Sequence, residues 1–181
     1  MENYQRLLQL LSGIKVPVAV PTGSAGLYVE AKQSLLHLHF AAKIDGRVQR
    51  ATLSVTSATH DQIKIVDLTG TQPLLDHQQP NPFSGQGVST FLVNSLILTL
   101  TDVLASHTRL AGRLKAPQSV TLEPLAARRN FWRRFNFEIE GWGAGKERVV
   151  GELGELQTYA DHLLGGPLCS GVDLLHLHLV D

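Results

Sequence analysis

The chain has 181 residues, 43% hydrophobic and 18% charged, with 16 Lys+Arg against 16 Asp+Glu. That length suits one domain, 1–181. Few charges and a zero net balance exclude an intrinsically disordered chain and a uniformly basic nucleic-acid coat. The balance conceals an asymmetry: residues 1–105 carry seven charges of each sign, residues 106–150 nine positive and four negative, and residues 151–181 five negative with no Lys or Arg.

A lone cysteine, Cys169, cannot close an intramolecular disulfide, and one cysteine among eight histidines makes no Cys/His zinc module. The opening Met1 to Arg6 lacks the apolar core of a signal peptide. The longest apolar run, Phe91 to Leu104, is interrupted by polar residues and falls short of the roughly 20 needed to span a bilayer. A soluble cytoplasmic protein, away from membranes, is expected.

In chain order, leucines at 7, 8, 10 and 11 predict a short amphipathic helix ended by Gly13, with Pro17 and Pro21 holding an extended stretch. Leu27 to Leu68 alternates in short runs, with Asp45-Gly46 as a hairpin turn, and predicts three or four antiparallel strands. Residues 69–87 form a Pro-, Gly- and Gln-rich loop, long enough to imply a role. A helix from Val88 to about His107, apolar nearly all round, is expected to be buried on a sheet. Beyond it come a strand Ser119–Leu122, a basic helix Pro124–Arg134, a strand Phe135–Ile139, a helix over 152–164 and a strand Val172–Val180.

Gly85-Gln86-Gly87-Val88-Ser89-Thr90 before a helix has the chemistry of an anion cradle, because glycines admit close approach and a helix N-terminus offers free N–H groups. The same glycines also serve simply to shape a helix entry. Followed by that long apolar helix, the segment Gly85 to Leu92 resembles the acyl-CoA pyrophosphate loop of the GNAT superfamily of N-acetyltransferases. Ala126 to Phe137, with its Phe131-Trp132 pair leading into Phe135-Asn136-Phe137, resembles the second motif of that superfamily. The resemblance covers about residues 25–140.

It implies an α/β (α+β) fold: a mixed, mostly antiparallel sheet flanked by helices on both faces. It also implies acyl transfer, with acetyl-CoA or another acyl-CoA as co-substrate and an amine as acceptor. Gly85, Gln86, Gly87, Val88, Ser89 and Thr90 would hold the cofactor. Pro82 stands where the family often has Arg or Gln, Asn136 replaces a glycine, and Trp132 replaces a tyrosine acid; indole has no proton to give a thiolate. A GNAT-like domain that binds without turnover is therefore an alternative.

Attack of an amine on a thioester needs a proton acceptor and donors for the oxyanion. Asp67, near the end of the Ile63–Leu68 strand, and Glu123 are the candidate bases; both also suit turn-capping roles. Tyr159 is a candidate acid. His37, His39, His176 and His178 pair at i, i+2 on strand faces, a conceivable zinc or copper set, but solvent-facing histidines are the simpler reading and no metal is expected. Arg128, Arg129, Arg133 and Arg134 are either a solvated helix face or a docking surface for an anion, the CoA 3′-phosphate or RNA. A dimer is compatible with all of these readings.

Overall fold

The computed structural model describes residues 2–18, 25–44, 47–59, 61–69, 83, 87–114, 123–141 and 146–159. Among the described residues three helices and eight strands follow in the order α1 (Glu2–Leu11), β1 (Lys15–Val18), β2 (Ala25–Lys32), β3 (Leu35–Ile44), β4 (Arg47–Thr59), β5 (Gln62–Thr69), α2 (Val88–Thr101), β6 (Arg109–Arg113), α3 (Glu123–Arg133), β7 (Glu138–Glu140) and β8 (Arg148–Glu152). The strands form one mixed sheet in the order β1-β2-β3-β4-β5-β6-β8-β7. The fold is α+β, and β5–β6 is its parallel pair.

Alternation decides the two faces of the sheet. Leu27, Phe40 and Ala51 lie in one cross-strand row, and Val29, Leu38 and Leu53 in the next; all are buried. Onto this face pack Leu7, Leu8 and Leu11 of α1 and the buried length of α2, in a core that also takes in Trp132 and Phe135. Each large apolar side chain so buried contributes about 1.5–3 kcal/mol. The Tyr4 hydroxyl reaches over the core to donate toward Val55 O at 3.2 Å and Ser34 O at 3.3 Å; burial pushes its phenol pKa up. The opposite face of β2–β4 presents Tyr28, Glu30, His37, His39, Thr52 and Ser54. Among the described residues α1 and α2 thus share one face, so helices on both faces are not seen there.

The antiparallel meander matches the alternation, with β1 added at the edge by Lys15 to Val18. The expected helix to His107 stops at Thr101: the Thr101 hydroxyl donates to Ile97 O at 2.8 Å, and Val103 and Leu104 stay partly buried within a turn. Eleven of its fourteen residues are buried, so it has no solvent stripe. Helix 152–164 is not formed over its described part; Leu153 to Glu155 turn, and the chain runs on without regular structure to Tyr159. The expected Phe135 strand begins instead at Glu138, because Asn136 takes a left-handed φ of 67° and ends the α3 turn. The strands expected at 119–122 and 172–180 lie outside the described residues.

Candidate functional site

β5 and β6 pair in parallel from Gln62↔Arg109 to Ile65↔Gly112 and no further. Gly112 is required at that last pair: a Cβ there would meet Ile65 Cβ at 2.9 Å. At the same point β5 bulges against β4, the register passing from Val55↔Ile65 to Ser54↔Asp67, which leaves Val66 turned out and 41% exposed. Bulges re-aim a strand and end pairing. Past Ile65 the β5–β6 ladder does not continue among the described residues. The carboxyl ends of parallel strands, where neighbours part, are where α/β sheets hold ligands.

α2 follows β5, entered through Gly87, whose φ of 75° a side chain would resist. Gly87 at the cap brings no side chain, and no acidic residue lies in the first turn. A helix start of this kind favours an anion near its first N–H groups. Val88 and Thr90 are buried and Ser89 half-buried, so any contact to an anion here comes chiefly from backbone. Gly85 and Gln86 lie outside the described residues, as does Pro82. Phe83 is buried and packs edge-on to Phe40 at 5.4 Å.

Asp67 lies on the polar face beside Ser54, and its Oδ1 accepts from Leu68 N–H at 3.0 Å. Glu123 is the first residue of α3, its side chain outside the description. No described contact joins the two carboxylates. What the sheet does assemble beside Asp67 is a set of imidazole pairs. His37 Nδ1 lies 2.7 Å from Ser54 Oγ. His39 Nδ1 lies 2.7 Å from Thr52 Oγ1, and its Nε2 lies 3.3 Å from Glu30 Oε2. An ionised Glu30 keeps the proton on Nε2, so Nδ1 accepts from the Thr52 hydroxyl. His39 stacks between Tyr28 and His37, with ring centroids 5.3 and 5.7 Å away. Burial lowers the His39 pKa against the raising effect of Glu30, holding the ring neutral. The i, i+2 spacing placed His37 and His39 on one face but left their partners on β2 and β4 unseen. Those partners depend on strand register. Among the described residues no set of three or more His, Cys, Asp or Glu could hold a metal; His176 and His178 lie outside them.

The arginine cluster is partly consumed within the fold. Arg129 grips the buried Glu147 carboxylate through both ends of its guanidinium, Nε to Oε2 at 3.0 Å. That hydrogen bond holds the Glu147 pKa below the usual carboxylate range. Arg134 lies over the Tyr159 ring at 5.2 Å. Arg128 is half-buried and Arg133 exposed. Trp132 packs edge-on against Phe131 and Phe137 and is 7% exposed. Among the described residues no helix is long and apolar enough to cross a membrane. No family model matches this chain, and no curated protein matches it.

Proposed function

We propose that the chain is an acyl-CoA-dependent N-acyltransferase with the architecture of the GNAT superfamily. The observation that carries this reading is the parting of β5 from β6 at Ile65↔Gly112, with the bulge at Val66 and an α2 that begins at the left-handed Gly87 next in the chain. The end of β5 past its last pair with β6 suits the amides of a pantetheine arm, which pair with a strand edge as a peptide would. Backbone N–H groups from Gly87 to Thr90, with Gly85 and Gln86 before them, suit the pyrophosphate.

In the reaction the acceptor nitrogen attacks the thioester carbon and the CoA thiolate leaves. The nitrogen's proton passes to a base, and a proton returns to sulfur. Asp67 borders the parting strands on the polar face and remains the candidate first acceptor, directly or through water; Glu123 is the alternative carboxylate. A GNAT-like domain that binds acyl-CoA without turnover is favoured by one observation, the packing of Trp132 into the core.

Differential scanning fluorimetry with acetyl-CoA tests the reading. A ligand at a hundred times its dissociation constant stabilises the folded state by about 2.7 kcal/mol. A rise of several degrees in Tm, lost in Gly87→Glu, is expected. No rise with acetyl-CoA or a longer acyl-CoA at millimolar concentration overturns it. A rise without CoA release across an amine panel selects the binding-only form.

A further inference from the structure

On the polar face, Pro17, Gly26, Ala41 and Arg50 form one cross-strand row over β1 to β4, beside the row of Lys15, Tyr28, His39 and Thr52. Gly26 and Ala41 are the low points of this surface, and the side chains around them rise as walls. The result is an open depression of about 460 Å³ with Lys15 at one end and Arg50 at the other. Such a volume suits a small organic molecule.

Two cationic residues line it. The Lys15 ammonium lies over the Tyr28 ring, 5.6 Å from its centroid. Arg50 lines it from β4, and among the described residues neither Lys15 nor Arg50 has an ion-pair partner. The backbone N–H groups of the floor are spent in the β1–β2 and β2–β3 ladders. No amide nest is left in the floor to surround a phosphate, whereas side-chain cations suit a carboxylate.

We propose that this groove binds the carboxylate of a small organic acid between Lys15 and Arg50.

Isothermal titration of the full chain with 6-aminohexanoate, 6-aminohexanamide and hexylamine reads the charge requirement. The acid is expected to bind about tenfold or more tighter than the amide, the usual advantage of a charge-assisted hydrogen bond. Arg50→Gln and Lys15→Gln, both at exposed positions, should each remove most of that advantage, and Ala41→Phe should block the groove. Equal binding of acid and amide overturns the proposal, as does unchanged binding by the Lys15→Gln/Arg50→Gln double variant. Displacement of the acid by equimolar inorganic phosphate overturns the assignment to a carboxylate. Acid binding without acetyl-CoA binding sinks the acyltransferase reading and leaves the groove.

Discussion

Asn94 and Tyr159 are joined by a reciprocal pair of hydrogen bonds: Asn94 Nδ2 donates to Tyr159 O at 2.8 Å, and Tyr159 N–H donates to Asn94 Oδ1 at 2.9 Å. A carboxamide on a buried helix thus satisfies both backbone groups of one residue, as a strand neighbour would. It ties the chain beyond β8 to the middle of α2. Asn94 is 1% exposed, so its loss leaves polar groups stranded away from water. Asn94→Ala is expected to cost about 1–3 kcal/mol in urea unfolding. It should also speed amide exchange at Tyr159, and retained protection there would contradict the pairing.

Gly87→Val tests the entry to α2. At φ 75° a branched side chain is strained by about 1–2 kcal/mol. The variant should unfold at lower urea and lose the acetyl-CoA shift. A variant that keeps both its stability and its cofactor shift would show the left-handed turn to be dispensable.

Gly112→Val probes the last parallel pair before β5 and β6 separate. Its first new atom would stand 2.9 Å from Ile65 Cβ, so the strands must move apart or the chain must strain. A loss of about 1–3 kcal/mol is expected. Gly13→Ala serves as a comparison, since its Cβ meets nothing within 4 Å and its cost is conformational alone.

Glu147 has a folded pKa below its ordinary 4.5, held there first by the Arg129 hydrogen bond. Its stabilising contribution is therefore complete above that value and is lost as the pH falls through the folded value. Glu147→Gln should melt below the wild type at pH 7, and the gap should narrow as the pH falls below 4.5. A gap independent of pH would mean that packing, not charge, makes the difference.

His39 also has a lowered folded pKa, burial being the main cause, with Arg50 and His37 opposing its charge and Glu30 favouring it. Its neutral form stabilises fully above about 6.5, and that contribution is lost as the pH falls from there toward the folded value. The wild type should lose Tm between pH 7 and 5 more steeply than His39→Gln. Chemical shifts of the His39 ring protons should give a midpoint under 6.5. A midpoint at or above 6.5 would place the ring in a solvated or Glu30-dominated setting.

The residues themselves settled a good deal. Alternation over Leu27 to Leu68 was enough for the meander, because period-two burial is a local property of each strand. The nearly continuous apolar run from Val88 marked a helix with no wet side, and Gly85 and Gly87 before it marked a helix entry, whose positive φ at Gly87 only the structure shows. Other features arise only from pairing across long sequence distances. Arg109-Leu110-Ala111-Gly112-Arg113 and Arg148-Val149-Val150-Gly151-Glu152 are short, glycine-containing and ringed by charge. They become strands because β5 and each other's backbones complete their hydrogen bonds. The neighbours of His39, the bulge at Val66, and the placing of Lys15 and Arg50 along one groove follow from register, which tertiary packing sets. Composition shows as many positive as negative charges, but only the fold decides that Arg129 is spent on Glu147 while Lys15 and Arg50 have no described carboxylate partner.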